Sequence, residues 1–97
     1  MRQDLSDEQV KARILYRLAL HGYYGGRHTA EENLYKGFKP QHLGAEGHKR
    51  VSRLIKELIK EGILIKKPTS YGLHIRLNAA KSGEIEEFIK KYFDPSL

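Results

Sequence analysis

The clearest pattern of apolar and polar positions lies in the middle of the chain, between Gly47 and Glu61. Apolar side chains recur there at spacings of three and four residues, which places them on one face of an α-helix. Basic side chains occupy the opposite side, and Gly62 follows where a helix commonly ends in a residue of positive φ. The pattern predicts an amphipathic helix over residues 47–61. Its buried face is formed by Val51, Leu54, Ile55, Leu58 and Ile59.

A β-hairpin is predicted directly after this helix. Residues 63–67 are rich in isoleucine, and residues 73–77 alternate apolar with polar side chains, as a half-buried strand does. The segment between them begins at Pro68, which fixes φ, and ends at Gly72, which has a permissive backbone. We therefore predict a hairpin over residues 63–77, with residues 68–72 as its turn.

Three further helices are predicted from capping signals and apolar spacing. Residues 6–9 form a capping box that opens a helix over residues 7–21, and residues 29–32 form a second box before a short helix over residues 30–36. A final helix is predicted over residues 81–93, with an apolar face formed by Ile85, Phe88, Ile89, Tyr92 and Phe93.

The connection between the short helix and the central helix is longer than the three or four residues of a tight helix-turn-helix. It runs from Phe38 to Gly47 and contains Pro40 and Gly44. Pro40 is placed to open one helical turn, because proline is tolerated at the first helical position. The pattern therefore leaves the first residue of the central helix open by several positions.

The positive charge of the chain is concentrated in one segment. Residues 38–76 carry nine basic and three acidic side chains, residues 1–37 carry six and five, and residues 77–97 carry three and four. The formal net charge of the whole chain is +6. The excess therefore lies in the central helix and the hairpin, and a localised basic surface is typical of proteins that bind polyanions.

The central helix, its glycine and the hairpin resemble the winged helix-turn-helix family, through the junction Leu-Ile-Lys-Glu-Gly-Ile-Leu at residues 58–64. The resemblance covers residues 7–78 and is nearest to small stand-alone winged-helix proteins of archaea and their viruses. It implies an α+β, mostly α fold in a single domain of residues 1–97, with a three-helix core, a β-hairpin wing and an additional C-terminal helix. It further implies that the central helix docks in the major groove of DNA, while the wing reaches the backbone or the minor groove.

The candidate residues for binding double-stranded DNA follow from their positions on these two elements. Arginine forks can read guanine O6 and N7, whereas lysines act mainly as point charges toward phosphates. A solvated surface is the plainer interpretation of any single lysine, and the joint placement on a docking element favours DNA. The candidates are Lys49, Arg50, Arg53, Lys56, Lys66, Lys67, Ser70, Tyr71, His74 and Arg76.

Other functions find less support in the residues. The chain has no cysteine, and none of its five histidines forms a His-x-x-x-His pair, so we predict no metal site. No nucleophile elbow or phosphate-binding glycine loop is present, and we predict a non-enzyme without a cofactor. Two rival binding functions stay open: a structured-RNA or ribosome-associated winged-helix protein, and a protein-interaction module for an acidic partner.

The pattern of the first and final helices predicts a homodimer. The first helix is apolar around most of its circumference, and the final helix presents large aromatic side chains. The alternative is that the final helix folds back onto the first within one chain. No apolar leader and no run of membrane-spanning length occur in the sequence, so we expect a soluble, cytoplasmic transcriptional regulator with no membrane partner.

Overall fold

The central amphipathic segment is one of several helices packed around a three-stranded antiparallel sheet in a computed structural model, which describes residues 4–24 and 27–96. The expected α+β, mostly helical class is confirmed. The elements in chain order are α1 (Asp7–Leu20), β1 (Thr29–Ala30), a 3-10 helix (Glu31–Gly37), α2 (Pro40–Leu43), a 3-10 turn (Gly44–Glu46), α3 (His48–Lys60), β2 (Leu64–Thr69), β3 (Gly72–Leu77), a second 3-10 turn (Ala79–Lys81) and α4 (Ser82–Tyr92).

The apolar face of α3 forms the centre of the core. Val51, Leu54 and Ile55 are completely buried, and Leu58 is nearly so, whereas Ile59 is only partly buried at the edge of the core. Each buried side chain of this size contributes about 1.5–3 kcal/mol relative to an exposed position. The face belongs to one buried cluster with apolar side chains of α1, the sheet and α4, among them Val10, Ile14, Leu15, Leu18, Ile75, Leu77 and Ile85.

The sheet has the order β1-β3-β2, with β3 in the centre. The pair Thr69 and Gly72 closes a loop of only two residues, so the predicted turn over residues 68–72 is too long. Pro68 lies within β2 and pairs with Leu73. The strand accommodates this proline because β2 is at the edge of the sheet, where a missing backbone N–H costs little.

The two predicted capping boxes have different outcomes. At Ser6 the box is confirmed: the hydroxyl accepts a hydrogen bond from the N–H of Gln9, and the Gln9 side chain accepts one from the N–H of Ser6. At Thr29 the prediction is wrong. This residue lies in β1 opposite Ile75, and its hydroxyl accepts a hydrogen bond from Asn33. The following helix is a 3-10 helix without a side-chain cap.

The long connection before α3 contains two short helical turns. Pro40 opens α2, as predicted, and Gly44 and Gly47 each take a positive φ, of 69° and 60°. Glycine adopts this conformation without the steric penalty of a Cβ atom. Gly47 therefore precedes α3 as its cap, and the helix begins at His48 and ends at Lys60, one residue inside each predicted bound.

The final helix packs against the first within the same chain. Ile85 is buried, Phe88 and Ile89 pack at the edge of the core, and the ring of Phe93 stacks on Tyr16 at a centroid distance of 4.1 Å. The alternative in which α4 folds back onto α1 is thus the arrangement of a single chain. Within the described residues, no helix has the length and apolar character needed to cross a membrane.

Candidate nucleic-acid interface

A ridge of lysines follows the side of α3 that faces away from the core. Lys49, Lys56 and Lys60 lie within about 40° of one another around the helix axis, given a rotation of about 100° per residue, and all are exposed. In the part of the chain that the structure describes, none of them forms an ion pair with a carboxylate. This lysine ridge is therefore available to an external anion.

Arg53 lies beside the lysine ridge but is held by carboxylates. Its guanidinium contacts Glu46 at 3.2 Å, Glu57 at 3.2 Å and Asp7 at 3.5 Å, and 43% of its side chain is exposed. The hydrogen bonds that Arg53 donates to Glu46 are the main reason why the pKa of Arg53 is raised above its ordinary value. The predicted base-reading fork must exchange these partners before it can bind a base edge.

Arg50 is buried, so the expectation that it reads a base does not fit its position. Its Nε donates to Asp7 Oδ1 at 3.0 Å, and its other nitrogens donate to the backbone carbonyls of Leu5 and His42. The sequence carried a signal for this. Arg50 precedes Leu54 by four residues, which puts it in line with the buried row of α3.

The hairpin places a second set of cations on the outer face of the sheet. Ile75 and Leu77 point into the core, so the alternating residues His74 and Arg76 point outward. Lys67 pairs with His74 across the strands and shares this outer face. Lys66 is exposed at the edge of the sheet. The outer face is therefore basic, as the sequence predicted.

The tip of the hairpin consists of Ser70 and Tyr71. Tyr71 is 94% exposed, which is unusual for an aromatic side chain. The hydroxyl of Thr69 braces the loop because it accepts a hydrogen bond from the N–H of Tyr71 and donates one to the carbonyl of Gly72. The loop thus presents an aromatic ring on a locally ordered turn.

A histidine pair on the outer face of the sheet was missed by the sequence reasoning. The Nδ1 atoms of His28 and His74 lie 2.8 Å apart, and the ring centroids lie 4.8 Å apart. Partial burial, followed by the charges of Lys67, His74 and Arg76, lowers the pKa of His28 below its ordinary value. The two residues are 46 positions apart, so only the pairing of β1 with β3 brings them together.

The candidate residues therefore fall into four groups. Lys49 and Lys56 lie on the lysine ridge, which also includes Lys60. Arg53 lies beside this ridge in a carboxylate network, and Arg50 is part of the buried structure. The remaining candidates lie on the hairpin, namely Lys66, Lys67, Ser70, Tyr71, His74 and Arg76.

No protein-family model, curated protein or solved structure shows a significant match to the chain.

Substitution of Arg50 tests its structural role. We expect Arg50→Ala to lower the free energy of unfolding by about 2–4 kcal/mol, because it removes the charge-assisted hydrogen bonds to Asp7 and to the buried carbonyls of Leu5 and His42. Arg53→Ala is the matched control and is expected to change stability little, since exposed ion pairs contribute little. Chemical denaturation measures both. Equal losses of unfolding free energy for Arg50→Ala and Arg53→Ala would contradict the structural role of Arg50.

The carboxylate of Asp7 makes part of this stability dependent on pH. Burial raises the pKa of Asp7, but hydrogen bonds from Arg50 and Arg53 outweigh it, and the net pKa is lowered. A lowered pKa stabilises the fold above the ordinary aspartate value of about 3.9, and the contribution is lost as the pH falls through the folded-state value. We expect Asp7→Asn to destabilise the protein by about 1–2 kcal/mol at pH 7 and by progressively less as the pH falls below about 4. A difference that does not decrease with falling pH would contradict the ion pair.

Proposed function

We propose that the protein binds double-stranded DNA as a winged helix-turn-helix transcriptional regulator in the cytoplasm. The lysine ridge of α3 carries this proposal, because it combines three unpaired cations with a rigid element directly opposite the core. The order of α1, β1, the 3-10 helix, α2, α3 and a hairpin, with the sheet order β1-β3-β2, supports it. Of this arrangement, the helix followed by a β-hairpin is what the resemblance of residues 7–78 implies.

In the proposed mode, α3 enters the major groove and its lysines neutralise phosphates on the groove walls. Phosphate contacts fix the register of a protein on the duplex and provide most of the affinity, without distinguishing one sequence from another. The basic hairpin continues the contact along the backbone or into the minor groove. Nonspecific affinity therefore resides in Lys49, Lys56, Lys60 and the hairpin cations.

Sequence discrimination in this mode depends on Arg53. Arg53 is the exposed arginine of α3. A bidentate contact from its guanidinium to guanine would replace its present contacts to Glu46 and Glu57. The carboxylates thus compete with the base for the same guanidinium. A site without the correct base leaves Arg53 in its ion pairs, which makes the contact selective.

Duplex DNA fits this surface better than single-stranded RNA does. Recognition of single strands relies on several aromatic rings that stack on successive bases. Tyr71 is the only exposed tyrosine or phenylalanine of the hairpin. A protein partner would require an apolar anchor at the centre of the contact, whereas the lysine ridge is polar along its length.

The dependence of binding on salt tests the proposal. We expect contacts to about four to six phosphates per subunit, which gives a slope of about −4 to −5 in a plot of log K against log salt concentration. Replacing Lys49, Lys56 and Lys60 together by alanine should reduce the slope by roughly 2–3. Replacing Lys36, Lys90 and Lys91 by alanine removes the same charge elsewhere and should leave the slope nearly unchanged. Fluorescence anisotropy with a labelled duplex measures the constants, and equal effects of the two triple variants would argue against the α3 interface.

The competition for Arg53 predicts a gain in affinity when a carboxylate is removed. We expect Glu46→Gln to tighten binding to a selected duplex by about three- to tenfold, in the range of coupling between neighbouring charged groups. The gain should disappear in the Arg53→Ala background. A gain of the same size in both backgrounds would mean that Glu46 acts only through the general surface charge.

The homodimer predicted from the sequence is part of this proposal. Within one chain α4 covers part of α1, but Leu20 is still 64% exposed, and Phe88 and Tyr92 line an open groove on the outer side of α4. A second copy on these surfaces would place two α3 helices about one DNA turn apart, roughly 34 Å. We expect light scattering at micromolar concentration to give the mass of two chains, and Phe88→Glu to reduce it to one. A mass of one chain for both proteins would contradict the dimer.

A further inference from the structure

The histidine pair joins two strands on the outer face of the sheet. His28 immediately precedes β1, and His74 lies in β3, so the Nδ1 contact of 2.8 Å connects two separate segments. At this distance one Nδ1 must carry a proton and donate it to the lone pair of the other. Both Nε2 atoms then lie on the far sides of the rings, where neither forms a hydrogen bond within the described residues. No buried side-chain nitrogen or oxygen of the described residues lacks a hydrogen-bond partner. Because the two Nε2 atoms have no such partner, both must be accessible to solvent.

The shared hydrogen bond limits what a neutral pair can do. The ring that donates through Nδ1 has an unprotonated Nε2, and the ring that accepts has a protonated Nε2. One outward Nε2 is therefore a hydrogen-bond donor. The other Nε2 carries a lone pair, which repels an anion. One additional proton at the unprotonated Nε2 keeps the Nδ1 hydrogen bond and gives the pair a single positive charge. The pair then presents two outward N–H donors.

The charges around the pair favour an anion. Lys67 is opposite His74 on β2, and Arg76 lies two residues along β3 on the same face of the sheet. These two cations and the partner imidazole are the charged groups that act on His28. A metal cation would meet this positive field, and no third histidine or carboxylate within the described residues completes a metal-binding group. A phosphate group, by contrast, would accept hydrogen bonds from both rings and attraction from both cations.

We propose that His28 and His74 form a proton-linked phosphate site, in which a phosphodiester of the DNA backbone binds both Nε2–H donors while the pair takes up one proton from solvent. This inference rests on the proposed function and adds His28 to the DNA-binding residues. It also assigns a role to the outer face of the hairpin, where Lys67 and Arg76 attract the same phosphate electrostatically.

The direction of the pH dependence follows from the charges. In the free protein, burial together with Lys67, His74 and Arg76 lowers the pKa of His28, which favours the neutral form of this ring. A bound phosphate brings negative charge and stabilises the protonated pair, so protonation becomes more favourable on binding. Binding therefore consumes a proton, and affinity increases as the pH falls from about 8 to 6. One linked proton changes affinity by at most about tenfold per pH unit.

Calorimetry of the full chain with a duplex of about 20 base pairs tests the site directly. Titrations at pH 7 in buffers of different ionisation enthalpy give the number of protons taken up per subunit. We expect a clear uptake, approaching one proton, for the unchanged protein. His28→Asn and His74→Asn should each abolish most of it, because either substitution breaks the pair. His21→Gln, which removes the exposed imidazole that follows α1 and is not part of the pair, is the matched control and should retain the full uptake.

The outcomes separate this inference from the proposed function. Duplex binding at pH 8 by all four proteins supports DNA binding whatever the pair does. Uptake that persists in both His28→Asn and His74→Asn overturns the phosphate site, and so does a loss of one half in each variant, which would indicate two independent imidazoles. Absence of duplex binding at low salt at every pH overturns the proposed function, and the phosphodiester site with it. Imidazole ¹⁵N spectra of the free protein add a readout without DNA: one protonated Nδ1 that donates a hydrogen bond to the other ring is expected, and two Nδ1 atoms without such a bond contradict the pair.

Discussion

The buried guanidinium of Arg50 is the interaction on which the orientation of α3 depends. A buried charge is costly unless hydrogen-bond acceptors surround it. Arg50 obtains them from the carboxylate of Asp7 and from the carbonyls of Leu5 and His42. These groups belong to the start of α1, the segment before it and the end of α2. The first turn of α3 can therefore satisfy its arginine only when these three parts of the chain are in place.

This constraint determines which side chains α3 presents to its surroundings. With Arg50 and the apolar face turned inward, Lys49, Lys56 and Lys60 point directly outward. Arg53 lies to one side, within reach of Asp7 and Glu46. Asp7 thus links the buried arginine to the exposed one, because its two oxygens contact both. The same network that orients the helix also restrains its only exposed arginine.

In the proposed binding mode, the surface that results separates affinity from discrimination. Lysines are point charges that tolerate any arrangement of phosphates, whereas a guanidinium fork requires a matching pair of acceptors. Within the described residues, the lysine ridge and the hairpin cations Lys66, Lys67 and Arg76 form no ion pair, so the proposal assigns them contacts to any duplex. In the same proposal Arg53 and the histidine pair bind conditionally: Arg53 exchanges carboxylates for a base, and the pair takes up a proton. Both proposed conditions would limit tight binding to particular sites or particular pH values.

The sequence predicted those features that depend on local periodicity. The spacing of Val51, Leu54 and Leu58 predicted α3, although it left the first residue of the helix open by several positions, and alternation predicted the hairpin. Predictions from the sequence failed where a contact with a residue distant in the chain overrides the local signal. Thr29 has the sequence of a cap but is used by the sheet, because β3 offers it a backbone partner at Ile75.

The candidate functional residues divide in the same way, into those that local periodicity reveals and those that depend on distant contacts. The lysine ridge was visible as a stripe opposite the apolar face, since both arise from one helical period. The burial of Arg50 depends on acceptors 43 and 45 residues earlier in the chain, and the pairing of His28 with His74 depends on sheet register. No spacing rule within a single helix or strand contains that information.

The central claim, that the outward face of α3 and the hairpin bind duplex DNA, is tested most directly by amide chemical-shift mapping. A ¹⁵N-labelled sample is titrated with an unlabelled duplex at low salt. The account predicts that the largest shift changes occur over residues 48–60 and 66–76, with small changes on the outer side of α4. Changes centred on α1 and α4, with residues 48–60 unaffected, would contradict it.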